Sequence, residues 1–273
     1  MKILMSVVMT AYNCEDFVGE AIQSILSQSF KEFEFIILDD ASTDATFSII
    51  KKYASLDKRI VVLRNKKNMQ IARSLNKGIH IAKSNIIVRM DSDDISYPKR
   101  LEKQYNFFTK HPRVAVLGSN MDIMNKLGRV ISRREYLTNS NELKKISFRY
   151  SPFAHPSVVF KKNVFEEFGG YNSAMVPCED IDLWFKIGSK YEFANIPQAL
   201  LKYRLIISSN SHKNLKKLEL IGFKIKINAI RKYGYKISFE DALFNMMQFV
   251  SLWFMPAEIR IYLYNFLRSK KII

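Results

Sequence analysis

Three carboxylates fall within four positions at Asp91-Ser92-Asp93-Asp94, directly after the largely apolar run Ile86-Ile87-Val88-Arg89-Met90. Carboxylates this close cannot all stay ionised cheaply, and a hard divalent cation that takes oxygen ligands relieves them. Such a cation keeps coordination sites open for a substrate diphosphate. A solvated turn or a helix cap is the other use of an Asp-rich run.

The elements that carry these residues favour a ligand site. Ile3 to Thr10 is an apolar run ending in Thr10-Ala11-Tyr12-Asn13, and Phe33 to Leu38 ends in Asp39-Asp40-Ala41-Ser42-Thr43-Asp44. Continuous apolar character, rather than alternation, predicts parallel strands buried on both faces. A third strand is expected at Ile60 to Leu63. Helical patterns separate the strands: Phe17, Ala21, Ile25 and Leu26 make one apolar face as far as Gln28, and Glu15 and Asp16 suit its first turn. Thr43 or Asp44 can cap the second helix, and Ile71 to Ala82 reads as the third. The chain is therefore α/β with a largely parallel sheet. Ligands in such sheets bind outside the carboxyl ends of the strands, where Thr10, Tyr12, Asp40, Asp91 and Asp93 all fall.

At these residues the chain resembles the family 2 glycosyltransferases. Val7-Val8-Met9-Thr10-Ala11-Tyr12-Asn13 looks like the family's first strand and nucleotide loop. Leu38-Asp39-Asp40-Ala41-Ser42-Thr43-Asp44 is similar to its second-strand acidic motif, and Asp91-Ser92-Asp93-Asp94 to its metal-binding DXD motif. His155-Pro156-Ser157, Gly169-Gly170-Tyr171, Glu179-Asp180-Ile181-Asp182-Leu183-Trp184 and Tyr203-Arg204 follow in the family's order, so the likeness runs from Ile3 to Arg204.

The resemblance implies the GT-A fold, a Rossmann-like mixed sheet with helices on both faces, and an inverting transfer from a nucleotide-diphosphate sugar. Thr10, Tyr12 and Asn13 would then line the nucleotide pocket, and Asp40 would accept a hydrogen bond from the base, a role that suits a uracil imide. Asp91 would contact the ribose, and Ser92 would also belong to the nucleotide-sugar site. Asp93 would bind Mn²⁺ or Mg²⁺, with Asp91 and Asp94 as further ligands or support. Asp180 would be the catalytic base for a hexosyl or N-acetylhexosaminyl transfer to a hydroxyl of a glycan or lipid-linked acceptor, as in cell-surface polysaccharide synthesis. The helix expected over Asp180 to Lys190 should keep a first-turn carboxylate ionised at its positive end. Asp182, about 200° round that helix, should point elsewhere.

Some positions depart from the family pattern. Gln70 stands where glycine is common, although glycine permits backbone angles that Gln does not. Arg73 could reach the diphosphate or sit on the surface of the third helix. His212 is a displaced counterpart of a metal-ligating His, and His155 could simply bond to backbone. Gly169-Gly170-Tyr171 reads as a helix stop, and Trp184 as core.

Composition bounds the alternatives. The 273 residues are 48% hydrophobic and 13% aromatic, which fits a globular chain with a substantial core. Cys14 and Cys178 are too few for a disulfide framework, so a reduced cytoplasmic setting is expected. The opening Met1-Lys2 and Ile3 to Ala11 imitate a signal peptide, yet read better as the first strand. A net charge of +17 raises the possibility of a nucleic-acid ligand, but no recognition module is present and the acidic strand ends would repel phosphates. A nucleotidyltransferase would want a Gly-rich basic loop after the first strand, which Ala11-Tyr12-Asn13-Cys14-Glu15 does not offer. A non-catalytic nucleotide-sugar-binding scaffold of the same fold is the remaining alternative.

Three regions are expected: a nucleotide-sugar-binding half at 1–118, an acceptor-binding and catalytic half of the same domain at 119–210, opening in a loop after Gly118, and a basic helical region at 211–273. That last region holds twelve Lys or Arg against four Asp or Glu, +8 of the chain's +17. Ala242 to Met255 is apolar on most sides, with only Asn245, Gln248 and Ser251 as a polar stripe. A helix there would be about 21 Å long, short of the roughly 30 Å hydrocarbon core. The expectation is peripheral attachment to an anionic membrane, at its cytoplasmic face, or an extra helical layer or dimer interface.

Overall fold

Residues 2–206 and 215–269 are described by the computed structural model; His212, Lys270 and Lys271 lie outside them. Four strands form the expected parallel group: β1 (Met5–Ala11), β2 (Phe33–Asp39), β3 (Ile60–Arg64) and β4 (Ile86–Asp91), side by side in the order β3-β2-β1-β4. Their apolar side chains are buried from both sides, as continuous hydrophobic runs require. Helices α1 (Val18–Leu26), α2 (Thr46–Leu56) and α3 (Ile71–Ile81) connect them. Glu15 and Asp16 lie in a turn before α1 rather than in its first turn.

The second half turns the sheet mixed. Strand β5 (Ile95–Ser96) and α4 (Arg100–Lys110) follow the acidic run, and then come β6 (Val114–Met124), β7 (Val130–Arg134), α5 (Ser140–Ile146), β8 (Val159–Lys161), α6 (Lys162–Glu167), α7 (Glu179–Gly188) and β9 (Glu192–Arg204). The sheet continues β4-β8-β6-β9-β5, with β7 paired to the later part of β6, Met121 to Met124, beyond β8. Strand β8 is antiparallel to both β4 and β6, whereas β6 and β9 run parallel.

The loop expected after Gly118 is instead the middle of β6, and the sheet is continuous through it. Gly118 serves packing rather than turning: a Cβ there would lie 2.2 Å from Asn195 Oδ1 and 2.8 Å from the Phe153 ring. The C-terminal region is helical, with α8 (Leu215–Tyr233), α9 (Phe239–Phe254) and α10 (Ala257–Ser269). Helix α8 packs on α7 through a cluster of Phe148, Met175, Cys178, Phe185, Ile225 and Ala229. Among the described residues no helix is long and apolar enough to cross a membrane.

Candidate functional site

Parallel pairing brings the polar strand ends together. Thr10 on β1 is the register partner of Leu38 on β2 and of Asp91 on β4, and Ala11 pairs with Asp39. Backbone strain gathers on the same edge, because the non-glycine residues with positive φ among the described residues are Asn13 (46°), Ala41 (64°) and Gln70 (67°), one after each of the first three strands. Such conformations cost of order 1–3 kcal/mol each and persist where the surrounding structure enforces them. Gln70 thus adopts the glycine-like conformation, with ψ of 164°, directly before α3.

The acidic run lies between β4 and β5. Ligand oxygens of Asp91, Asp93 and Asp94 all lie within 4.8 Å of one another. Burial, then the charge of Asp91, pushes the Asp93 carboxyl up to about 6, and burial with both neighbours' charges holds Asp94 well above the usual carboxylate range. Asp94 is fully buried; its Oδ1 accepts from the Arg204 backbone N–H at 2.8 Å, and its Oδ2 has no partner. Arg204 also donates from Nε to the Asp93 carbonyl and from Nη1 to the Lys126 carbonyl, and its Nη2 pairs with Glu20. Strand β9 therefore fastens this loop from behind. Three crowded oxygen donors, one with an orphaned buried oxygen, are a donor set that fits a hard divalent cation.

Arg89 lies beneath the cluster. Its buried guanidinium forms a two-pronged pair with Asp91, Nη1 to Oδ2 and Nη2 to Oδ1, each at 2.6 Å. The same cation acts on a second acidic group at the start of α7. Burial pushes Asp180 up to about 6, opposed by the Ile181 amide and by Arg89, and burial with the charge of Asp180 pushes Glu179 to about 7. Both also feel Asp91, so the start of α7 and the end of β4 face one another. Desolvation outweighs the help of the helix end, so this carboxyl titrates well above its usual range, yet at about 6 it is still ionised at neutral pH. Asp182 points away, paired at 2.6 Å with Lys186 one turn on.

His155 and Tyr171 complete this wall. His155 Nε2 and the Tyr171 hydroxyl are 2.9 Å apart, and burial with Arg89 nearby holds His155 well below its usual pKa, neutral. Gly169 and Gly170 terminate α6 at φ of 75° and 70°, and a Cβ on Gly170 would meet Asn76 and Phe165 at 2.9 Å, so the reversal requires glycine and sets Tyr171 in place. Trp184 is core, edge-on to Phe153.

On the nucleotide side, Tyr12 is 49% exposed at its strand end, which removes ordinary core packing as its role. Asn13 ties the first two loops together, accepting from Thr43 N–H at 2.9 Å while its own N–H donates to Ser42 Oγ. Asp40 is buried, and its Oδ1 accepts from Asn65 Nδ2 at 2.7 Å and from Met69 N–H at 2.8 Å. Asp44, not Thr43, bonds to the start of α2 through Thr46 N–H. Ser92 lies against the Cys14 thiol. Arg73 is exposed in the first turn of α3, where no contact ties it to the acidic cluster. Beside Asp40, a cavity of about 440 Å³ is lined by Ala41, Arg64, Asn65 and Lys66.

Sequence reasoning missed Arg89, Glu179 and Asn65. A signal for Arg89 existed, since a strand's period of two puts it on the same face as Asp91, and a lone Arg in an apolar strand needs a partner. Asn65 follows its strand as Asp40 does. Glu179 offered no signal distinct from any first-turn acid.

A model of the family described as Glycosyl transferase family 2 matches residues 6–169. A Bacillus subtilis protein called putative glycosyltransferase EpsE is 38% identical over 203 residues, 73% of this chain and 72% of that protein. The Escherichia coli O-antigen biosynthesis glycosyltransferase WbnJ is 33% identical over 233 residues, 82% and 88% of the two chains. Among solved structures, Staphylococcus aureus TarS with UDP-GlcNAc superposes with a TM-score of 0.68 at 21% identity, covering 86% of this chain and 69% of that one. The Pyrobaculum calidifontis mannosyltransferase PcManGT with GDP-Man and Mn²⁺ gives 0.66 at 17%, covering 92% and 70%.

Proposed function

Because the chain belongs to glycosyl transferase family 2 and is a glycosyltransferase with the GT-A fold, we propose that it inverts the anomeric carbon of a UDP-sugar while passing the sugar to a hydroxyl of a glycan or lipid-linked acceptor in surface polysaccharide synthesis. The observation that carries this reading is the convergence of two acidic groups, Asp91-Asp93-Asp94 and Glu179-Asp180, on one buried cation, Arg89. The acceptor oxygen attacks the anomeric carbon from the face opposite the nucleotide, the bond to the diphosphate oxygen breaks, and Asp180 takes the acceptor's proton. A carboxyl near 6 is ionised at neutral pH and basic enough to hold a proton in the transition state. Asp93, with Asp91 and Asp94 beside it, would hold Mn²⁺ or Mg²⁺, which would supply Lewis-acid stabilisation of the departing diphosphate.

Thr10, Tyr12 and Asn13 form the nucleotide edge, Asp40 and Asn65 the base-side pocket, and Ser92 and Asp91 the ribose side. Arg73 is a peripheral diphosphate contact in this scheme. His155 and Tyr171 restrict the acceptor wall and keep Arg89 from solvent. The basic C-terminal region brings the enzyme to the cytoplasmic face of an anionic membrane. TarS and PcManGT are described with UDP-GlcNAc and GDP-Man, so a donor screen with both nucleotide classes and Mn²⁺ is the first assay. Asp180→Asn is expected to leave donor affinity within about twofold while kcat falls by at least about a hundredfold. Parallel loss of affinity and rate would assign Asp180 a structural role, and absence of donor turnover in the native enzyme would leave only a nucleotide-sugar-binding scaffold.

A further inference from the structure

Helix α9 turns its polar stripe inward and leaves most of its apolar side chains exposed. A surface helix ordinarily turns its apolar stripe inward. Here the inward side carries Asp241, Asn245, Gln248 and Ser251 beside the buried Leu252 and half-buried Phe244, and Met246, Met247, Phe249, Val250, Trp253 and Phe254 are exposed, the last two at 61% and 84%. The polar stripe is used: Asp241 pairs with Arg149, Asn245 Nδ2 donates to the Phe148 carbonyl at 3.0 Å, and Lys226 Nζ donates to Asn245 Oδ1 at 2.7 Å. Polar bonds thus fix the helix in the orientation that leaves its apolar side in water. Helix α10 extends the surface with Ile259, Tyr262, Leu263 and Phe266. An apolar patch of this extent marks an interaction surface.

Charge chooses the occupant. The region carries +8, and the Lys216 ammonium lies 3.9 Å from the centre of the Trp253 ring, a cation at the rim of the apolar face. Basic groups bordering exposed aromatic and aliphatic side chains match the headgroup and acyl zones of an anionic bilayer. The location matters as well. Cys178, two residues before Asp180, has its Sγ 3.6 Å from the Leu218 carbonyl near the start of α8. Glu219 on that same turn pairs at 2.8 Å with Arg260 of α10. The Asp180 turn and the apolar face are therefore about two helix spacings apart, about 20 Å.

We propose that the outward face of α9, continued by α10, inserts into the interface of an anionic bilayer and holds the Asp180 end of the molecule against it. This deepens, and rests on, the membrane reading above. The chain's two tryptophans make it testable, since Trp184 is fully buried and Trp253 is exposed. With phosphatidylglycerol vesicles the full chain should show a blue-shifted emission that brominated acyl chains quench, and phosphatidylcholine alone should give little. Trp253→Phe should still sediment with the vesicles but lose the spectral change. The pair Met247→Glu and Val250→Glu should cut vesicle partitioning at least tenfold while melting temperature and donor hydrolysis in solution stay unchanged. Emission that ignores anionic vesicles would overturn the proposal, as would a dimer in sedimentation equilibrium that the double variant dissolves, because the face would then join two copies. Vesicle binding without donor turnover would refute the catalytic reading and support this surface.

Discussion

Arg89 is the group on which both halves of the site depend, and its removal has a calculable effect. The buried guanidinium pairs with Asp91 and lowers the carboxyls of Asp93, Glu179 and Asp180 toward their usual range. In Arg89→Met, Asp91 loses its ion-pair partner and Asp180 loses a favourable cation. For scale, a unit charge at a separation of about 8 Å and an effective dielectric near 20 is worth about 2 kcal/mol, a shift of about 1.5 pH units. Asp180 should therefore titrate above its native value of about 6. A base works ionised, so activity falls as pH drops through its pKa, and the acid limb of kcat/KM should shift upward with it. Nucleotide release measured from pH 5 to 9 at saturating Mn²⁺ reads the shift. Breaking a buried pair costs about 3–5 kcal/mol and threatens the fold, so Arg89→Lys is measured alongside. It keeps the charge while losing the second prong, and its acid limb should stay near the native position. An unmoved limb in a folded Met variant would show that Arg89 does not act on the base at all.

Other consequences are expected. Gln70→Gly should raise the melting temperature by about 2 °C or more, since strain of about 1–3 kcal/mol is relieved against a smaller entropy cost of glycine; an unchanged or lower value would mean that the left-handed conformation is not strained. Arg204→Lys should weaken Mn²⁺ binding by about tenfold or more by loosening the Asp93 carbonyl, as calorimetry with the metal alone would detect, and unaltered affinity would exclude this fastening role. Asp93, Asp94, Glu179 and Asp180 all bind protons more tightly folded than unfolded, so metal-free protein should lose stability as pH rises from about 5 to 7.5, the native state holding more protons over that window. Saturating Mn²⁺ should flatten that slope in a thermal melt series, and a metal-free profile that rises with pH would contradict the buried acidic site.

The amino-acid sequence by itself determined the parallel strand group, its connecting helices and the acidic run at the strand end. The reason is local: a strand buried on both faces must be apolar throughout, so the interruption at Asp91-Ser92-Asp93-Asp94 stands out against Ile86 to Met90. The family was legible for the same reason, as its motifs occupy strand ends and helix starts whose order the chain preserves. Tertiary structure alone decided what those groups experience. Asp180 is 89 residues from Asp91, and only the fold, which buries the start of α7 within electrostatic reach of Asp91 and Arg89, reveals that burial raises this first-turn carboxyl and that one arginine acts on both carboxylate groups. Gly118 looks like a turn until Asn195 and Phe153 are seen filling the space beside it. The stripe of Asn245, Gln248 and Ser251 was visible in the sequence, but its direction was not, because periodicity fixes which residues share a helix face and says nothing of which face the rest of the molecule takes.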